Sequence, residues 1–365
     1  MSRPLRARID FDALRHNHAL ARRHAGQGCL WSVIKADAYG HGVLPVVLAL
    51  REATDGFALV EFEAAVLLRE QGIRNPILML EGIYQDGDLA ACVAHDLTPV
   101  LHAPWQVESL AGAALPRRVP VYLKLDTGMH RLGLEAVQLR DALARLAAAD
   151  CASSITLMTH FADADEDRGI EAQMARLREM TSGMRLPLSL ANSAALLRFP
   201  ETTALAGHWA RPGIMLYGSS PFPARESAGA LGLRPVMTLE SELISIRELA
   251  PGDRVGYGGT FVAEAPMRVG VVACGYGDGY PRHAPTGTPV LVDGQRTRTL
   301  GRVSMDKLCV DLTHLPEVSL GGTVLLWGEN DAGRLDADEV ATASGTIAYE
   351  LFCALAGRVP VDYGE

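Results

Sequence analysis

The sequence predicts an α/β chain: an N-terminal (β/α)8 TIM-like barrel followed by a C-terminal, mostly antiparallel β domain. Three observations lead there. Over the first 210 residues or so, short apolar runs alternate with stretches of helical periodicity. Residues 218–235 (GSSPFPARESAGALGLRP) are then dense in Pro, Gly and Ser, which marks a domain boundary. Beyond that segment, strand-like runs are separated by tight-turn signals instead of helices.

The apolar runs of the first region are LWSVIKA (30–36), GFALV (56–60), PILML (76–80), LTPVL (97–101), VPVYLKL (119–125), ITLMTHF (155–161), LPLSLA (186–191) and ALAGHWA (204–210). Runs apolar on every residue belong to strands buried on both faces, as in a parallel sheet covered by helices. EFEAAVLLRE (61–70) and RGIEAQMARLREM (168–180) read as amphipathic helices between them. Eight such units point to a closed barrel. In the second region, MTLESELISIREL, RVGVVACGYGDG, TPVLVDGQRTRTL, KLCVDL and TVLLWG read as strands. Turn signals stand at Pro251 and Gly252, Asp293 and Gly294, and Gly321 and Gly322, and a helical segment covers 336–355. The expected domains are therefore 1–232 and 233–365.

A chain of 365 residues fits two domains and can bury about three quarters of its extended surface, so it needs no metal or disulfide staple. A net charge of −9 repels a phosphate backbone and gives no reason to expect nucleic-acid binding. The basic N-terminal stretch (Arg3, Arg6, Arg8, Arg15, Arg22, Arg23) is interrupted by Asp10 and Asp12 and reads as a solvated first helix, not a transit peptide. No secretory apolar region follows Met1 and no run reaches membrane-spanning length, so a cytoplasmic protein without membrane partners is expected. The cysteines at 29, 92, 151, 274, 309 and 353 form no metal-binding or redox spacing; they read as reduced, mostly buried small hydrophobes, and no metal is expected.

In such a barrel the active site lies at the carboxyl ends of the strands. Directly after the runs come Lys35, Tyr39, Glu81, His102, Asp126, Arg131, His160, Asn192, Ser193 and Arg211. Lys35 is the most informative. A lysine closing a buried strand has its ammonium desolvated, which lowers its pKa and suits it to Schiff-base chemistry. Gly40 and Gly42 let the following loop turn tightly.

VIKADAYGHG (33–42) resembles the pyridoxal-phosphate attachment motif of alanine racemases, the fold-type III pyridoxal enzymes. The likeness continues, in the family's order, through DTGMHRLG, THFADADE, LANSAAL, RPGIMLYG, GDRVGYGG, CGYGDGYPRH, GRVSMDK and TIAYE. Nine segments in order over the whole chain are far more specific than any one of them. Asp37 stands where many members have Asn, and both types occur.

The resemblance implies an isomerase that interconverts L-alanine and D-alanine, as a homodimer with shared active sites, supplying D-alanine for peptidoglycan or degrading it. It implies that Lys35 carries pyridoxal 5'-phosphate and acts as one base. Tyr39, Asn192, Ser193, Gly213, Ile214 and Tyr349 are implied as phosphate contacts. Arg211 would face the pyridine nitrogen, and a guanidinium there keeps that nitrogen unprotonated. Tyr257 of the second copy is implied as the other base, because inversion needs a base on each face of Cα. A tyrosine of ordinary pKa is ionised about once in 10³ at pH 7, so this use requires about 4 kcal/mol of bias. A network from Arg211 through His160 is its implied source. Arg131 is implied as a substrate-carboxylate contact, oriented by a carbamylated Lys124; Met305 and Asp306 of the second copy would line the carboxylate side and Tyr276 the entry path.

Read on their own, several of these residues have plainer roles. Asn192 and Ser193 form an N-cap pair, Tyr257 in GYGG is a β-turn aromatic, and Arg211 could pair with a loop carboxylate. Competing functions are a pyridoxal-dependent decarboxylase of the same layout, which would place a carboxylate at the ring nitrogen, and a non-enzymatic pyridoxal-binding regulatory protein, which would lack the second domain and Tyr257.

Overall fold

The computed structural model describes residues 3–205 and 207–364. Two compact units emerge from its backbone contacts: one comprises 17–38 and 42–216, the other the N-terminal arm up to His16, residues 39–41, and the chain from Tyr217 onward.

The first unit is built on eight strands: β2 (Cys29–Val33), β3 (Gly56–Leu59), β4 (Ile77–Met79), β5 (Leu97–Leu101), β6 (Val119–Lys124), β7 (Ala152–Met158), β8 (Leu188–Ser189) and β9 (Trp209–Ala210). All pairs are parallel and run in sequence order from β2 to β8, with β9 returning to β2. The seam between β8 and β9 is bridged by Arg211 N–H to the Ala191 carbonyl (2.8 Å) and by the Ser189 hydroxyl to the Trp209 carbonyl (2.7 Å). The sheet is thus a near-closed barrel, and each predicted run supplies one of its strands.

Inside it, the Trp31 ring stacks on Trp209 at 4.2 Å and its indole N–H donates to the Tyr122 hydroxyl at 3.0 Å, so the large aromatic bodies fill the core while their polar tips stay paired. Helices such as Phe62–Glu70, Ala136–Ala149 and Glu171–Met180 connect the strands. Ala136–Ala149 opens with a reciprocal capping box between Glu135 and Gln138 and stops where Asp150 turns left-handed (φ 50°).

The second unit holds a nine-stranded sheet in which all pairs but one are antiparallel. Its spine is Met237–Leu249, which pairs with three neighbours and shifts register between Leu243 and Ser245. The hairpin of Pro289–Val292 with Gln295–Leu300 turns at Asp293 and Gly294, both at positive φ (46° and 76°), the twist a two-residue hairpin requires. Trp327, Tyr280, Leu239, Val272 and Leu326 are among its buried side chains. The C-terminal helical segment is two helices, Ala337–Ala343 and Ala348–Cys353, with Gly345 at φ 72° between them.

Three expectations are corrected. The basic N-terminal stretch does not begin as a helix. Arg6–Ile9 is a strand, β1, with Arg6 and Arg8 outward and Ala7 and Ile9 buried, inserted between Met237–Leu249 and Val361–Tyr363. Helix α1 (Phe11–Ala25) starts only after Asp10, whose carboxylate accepts from Ala13 N–H at 2.8 Å. Among the cysteines, only Cys92 and Cys274 are buried, and Cys353 is exposed. The run 30–36 ends as a strand at Val33, and Lys35 opens a helical turn. No helix among the described residues is long and apolar enough to cross a membrane.

Candidate active site

The turn after β2 is left-handed. Ala36, Asp37, Ala38 and Tyr39 have φ between 52° and 55°, and Gly40 and Gly42 follow at 74° and 87°. Left-handed helix costs about 1–2 kcal/mol per L-residue, so four in succession must be held from outside. Within the barrel unit, Ala36 N–H donates to the Glu61 carboxylate (3.0 Å), Ala38 N–H to the Ile34 carbonyl (2.9 Å), and Val43 N–H to the Asp37 carboxylate (2.7 Å). Within the other unit, Tyr39 stacks on Tyr217 at 4.7 Å and lies 5.8 Å from Tyr349, and Gly40 leaves no room for a Cβ against the Phe352 carbonyl. The strain therefore sits on the residues adjoining Lys35. Lys35 itself is half-buried, less sequestered than its strand-end position predicted. Tyr39 is buried, and burial followed by the charge of Tyr349 raises its hydroxyl pKa above the ordinary value.

Around the carboxyl end of the barrel the structure brings together Lys35, Lys124, Arg131, His160 and Arg211. Lys124 ends β6 and is 6% exposed; burial, with Arg211 and Arg131 nearby, lowers its pKa to about 8. Burial and the same cations hold His160 well below its usual value, so its imidazole is neutral. Arg211, directly after β9, is 4% exposed, and burial lowers it to about 10, still protonated at pH 7. Its guanidinium donates to the Ser189 carbonyl (2.8 Å) and hydroxyl (2.7 Å), the Thr159 carbonyl (2.6 Å) and the Leu190 carbonyl (3.3 Å). None of these acceptors is a carboxylate, which replaces the ion-pair reading of Arg211 with a cation held by strand-end carbonyls.

Arg131 is exposed and is presented by a loop that Asp126 organises, accepting from Gly128 N–H (2.9 Å), His130 N–H (3.1 Å) and the His130 ring (3.0 Å). Asn192 caps the helix Ser193–Arg198 by accepting from Ala195 N–H at 2.9 Å, as its N-cap reading expected. The Ser193 hydroxyl accepts from Gly213 N–H (2.9 Å) and joins the last two strand-end loops. Because Ser193 oxygen accepts a backbone N–H, its own proton is free to be donated to an anion.

In the second unit, Tyr257 stands in a short turn between Gly256 (φ 69°) and Gly258 (φ 74°) and is 68% exposed. Tyr276 is 40% and Met305 53% exposed, and their loops are stitched by Tyr276 N–H to the Ser304 carbonyl (3.0 Å) and Gly277 N–H to the Met305 carbonyl (2.8 Å). Asp306 accepts from Arg358 at 2.7 Å. Arg358, Arg3 and Asp278 were missed in the sequence: Asp278 lies inside CGYGDGYPRH, but its partners are far away in the chain.

A parallel barrel whose strand ends carry a lysine, buried cations and hydroxyl donors defines an enzyme of the (β/α)8 class that handles an anionic small molecule. The N-terminal domain model of alanine racemases matches residues 9–221 and the C-terminal domain model matches 236–363. An alanine racemase of Thiobacillus denitrificans is 53% identical over 360 residues, 99% of this chain and 96% of that protein. A catabolic alanine racemase of Salmonella typhimurium is 47% identical over 360 residues, 99% of each. The crystal structure of the biosynthetic alanine racemase of Pseudomonas aeruginosa superposes with a TM-score of 0.94 at 46% identity, covering all of both chains. The chain belongs to the alanine racemase family. It is accordingly a racemase, an isomerase acting on alanine.

Proposed function

We propose that the chain interconverts L-alanine and D-alanine with pyridoxal 5'-phosphate held on Lys35, and that Tyr257 of a second copy completes each site. The observation that carries this reading is the cluster of Lys124, Arg131 and Arg211 beside Lys35, in which the buried Arg211 donates, among the described residues, to carbonyls and a hydroxyl. Such a site favours an anion with an electron-accepting ring, and a phosphorylated pyridine fits it. When bound, pyridoxal phosphate supplies an electron-withdrawing ring that makes the Cα proton of alanine removable.

The chain's residues would divide the remaining work. Ser193, Asn192, Gly213 and Ile214 lie at the last two strand-end loops, where barrels hold phosphate, and the family resemblance adds Tyr39 and Tyr349 as further hydroxyl donors. Arg211 presents only N–H donors and stays charged, so it does not give up a proton to a ring nitrogen. Lys35 Nζ takes or returns the Cα proton on one face and Tyr257 Oη on the other, which inverts the centre. His160, held neutral, can pass polarisation from Arg211 without adding a charge. Arg131 binds the substrate carboxylate, with Met305 and Asp306 of the second copy on that side and Tyr276 of that copy at the entry.

A lysine of pKa about 8 has a substantial neutral fraction near pH 7, and the neutral amine is the form that adds CO2 to give a carbamate with release of one proton. A carbamate on Lys124 would supply the missing anion to Arg131. Functionally, residues 1–232 hold the cofactor and 233–365 complete the partner's site, in a cytoplasmic homodimer that makes D-alanine for peptidoglycan or degrades it. The test is to incubate the purified protein, supplied with pyridoxal phosphate, with L-alanine and other L-amino acids. D-alanine without CO2 release is expected; CO2 release, or no D-alanine, overturns the reading.

A further inference from the structure

The second unit contains a charge network centred on a buried carboxylate, Asp278, that the functional reading does not use. Asp278 is wholly buried, yet two arginines distant in sequence and one amide of its own turn meet on its carboxylate. Arg3 grips both oxygens, at 2.5 and 2.7 Å; Arg358 donates at 2.8 Å; Gly275 N–H donates at 2.9 Å. The same two arginines also reach the neighbouring loop: Arg3 donates to the Asp306 carbonyl at 3.1 Å, and Arg358 to the Asp306 carboxylate at 2.7 Å and the Met305 carbonyl at 3.4 Å. Two guanidiniums and two carboxylates make the cluster neutral.

Burial opposes ionisation of Asp278, but the bonds from Arg3, Gly275 and Arg358 outweigh it and hold its pKa below the ordinary carboxylate range. The backbone is fitted as closely as the charges. A Cβ on Gly275 would collide with the Ser304 and Met305 carbonyls, and one on Gly277 would press on Arg358 and Met305. The network therefore binds the turn carrying Tyr276 to the loop carrying Met305, and one of its two arginine struts, Arg3, comes from the N-terminal arm.

We propose that Asp278, clamped by Arg3 and Arg358, is a positioning residue that sets the Tyr276 turn against the Met305 loop, so that the N-terminal arm governs how substrate is admitted and its carboxylate seated. The inference rests on the functional reading of Tyr276 and Met305 given above. A group that only positions binding elements acts on ground state and transition state alike, so its loss raises KM and spares kcat. A bidentate bond to a buried carboxylate also couples its partners, because removing the arginine leaves the buried charge less well matched.

The experiment uses the full chain loaded with pyridoxal phosphate and compares Asp278→Asn, Arg3→Gln and Arg3→Lys. Arg3 lies at the surface end of the network, with 37% of its side chain exposed, so Arg3→Gln keeps the test open if Asp278→Asn does not fold. Two readouts are taken: racemisation kinetics in both directions, and hydrogen exchange at the Tyr276 and Gly277 amides. Asp278→Asn and Arg3→Gln should raise KM for both enantiomers about tenfold with kcat within about threefold, and Arg3→Lys should recover part of the loss. The two amides should exchange about tenfold faster or more, whatever the activity. Unchanged amides overturn the clamp; faster amides with unchanged KM, or a fall confined to kcat, overturn the positioning role. Wild-type protein that fails to racemise alanine while its variants show the amide effect overturns the functional reading and leaves the clamp standing.

Discussion

At the mouth of the barrel, Lys124 and Arg211 are 6% and 4% exposed; on the second unit, Tyr257, Tyr276 and Met305 are 68%, 40% and 53% exposed. The barrel residues are cations withdrawn from water, each lowered in pKa first by burial. The second set is two aromatic rings and a thioether standing in water on glycine-rich or stitched loops. Buried positive charge calls for an anion, and exposed aromatic and Met side chains call for a covering surface. In the proposed function a small phosphorylated molecule would meet the first need, and the surface of a second copy the second. The contrast divides the proposed chemistry between a half that holds the cofactor and a half that is lent to a neighbour.

The comparison is broken most severely at Lys35. Lys35→Ala should abolish the visible absorbance of bound pyridoxal phosphate and reduce racemisation by about 10³-fold or more, read by spectrum and by chiral assay. An unchanged spectrum places the attachment elsewhere. Tyr257→Phe should leave the spectrum intact and slow exchange of the Cα proton with solvent by about 10²-fold from one enantiomer only. Equal slowing from both would remove the division of the two faces between two bases.

A smaller effect probes the barrel's missing anion. Lys124 is lowered from 10.5 to about 8, so between these values the unfolded chain holds more protons and stability rises with pH; below pH 8 the folded state carries the whole penalty. That penalty is about 3 kcal/mol. In cofactor-free protein without bicarbonate, Lys124→Met should raise the melting temperature by several degrees at pH 7, with the gain fading toward pH 10.5. A lower melting temperature at pH 7 would show that the ammonium is already neutralised by the protein.

Much of the barrel was legible because parallel strands are buried on both faces and so mostly apolar along their length, as in GFAL and LTPVL. β1 was not, because RARI alternates: its arginines belong to the solvent face of a sheet strand, and a basic run looks the same on a helix. Lys35 could be found from its strand-end position and motif, yet the left-handed turn beside it could not, since KADAY lacks the glycines that usually announce positive φ. Arg211 could be found, but not its solvation by carbonyls, which depends on three strand ends meeting. Asp278 was hidden most completely. Its partners Arg3 and Arg358 lie 275 and 80 residues away, and no local pattern connects them.

The central claim, that each site takes its lysine from one chain and its tyrosine from another, is tested most directly by mixing. Lys35→Ala and Tyr257→Phe proteins, each nearly inactive alone, are combined, allowed to exchange subunits, and assayed for D-alanine formation. If the sites are shared, each mixed dimer regains one site with both native bases, and random exchange restores about a quarter of wild-type activity. If both bases of a site come from one chain, no mixed dimer contains an intact site and activity stays at the level of the separate variants.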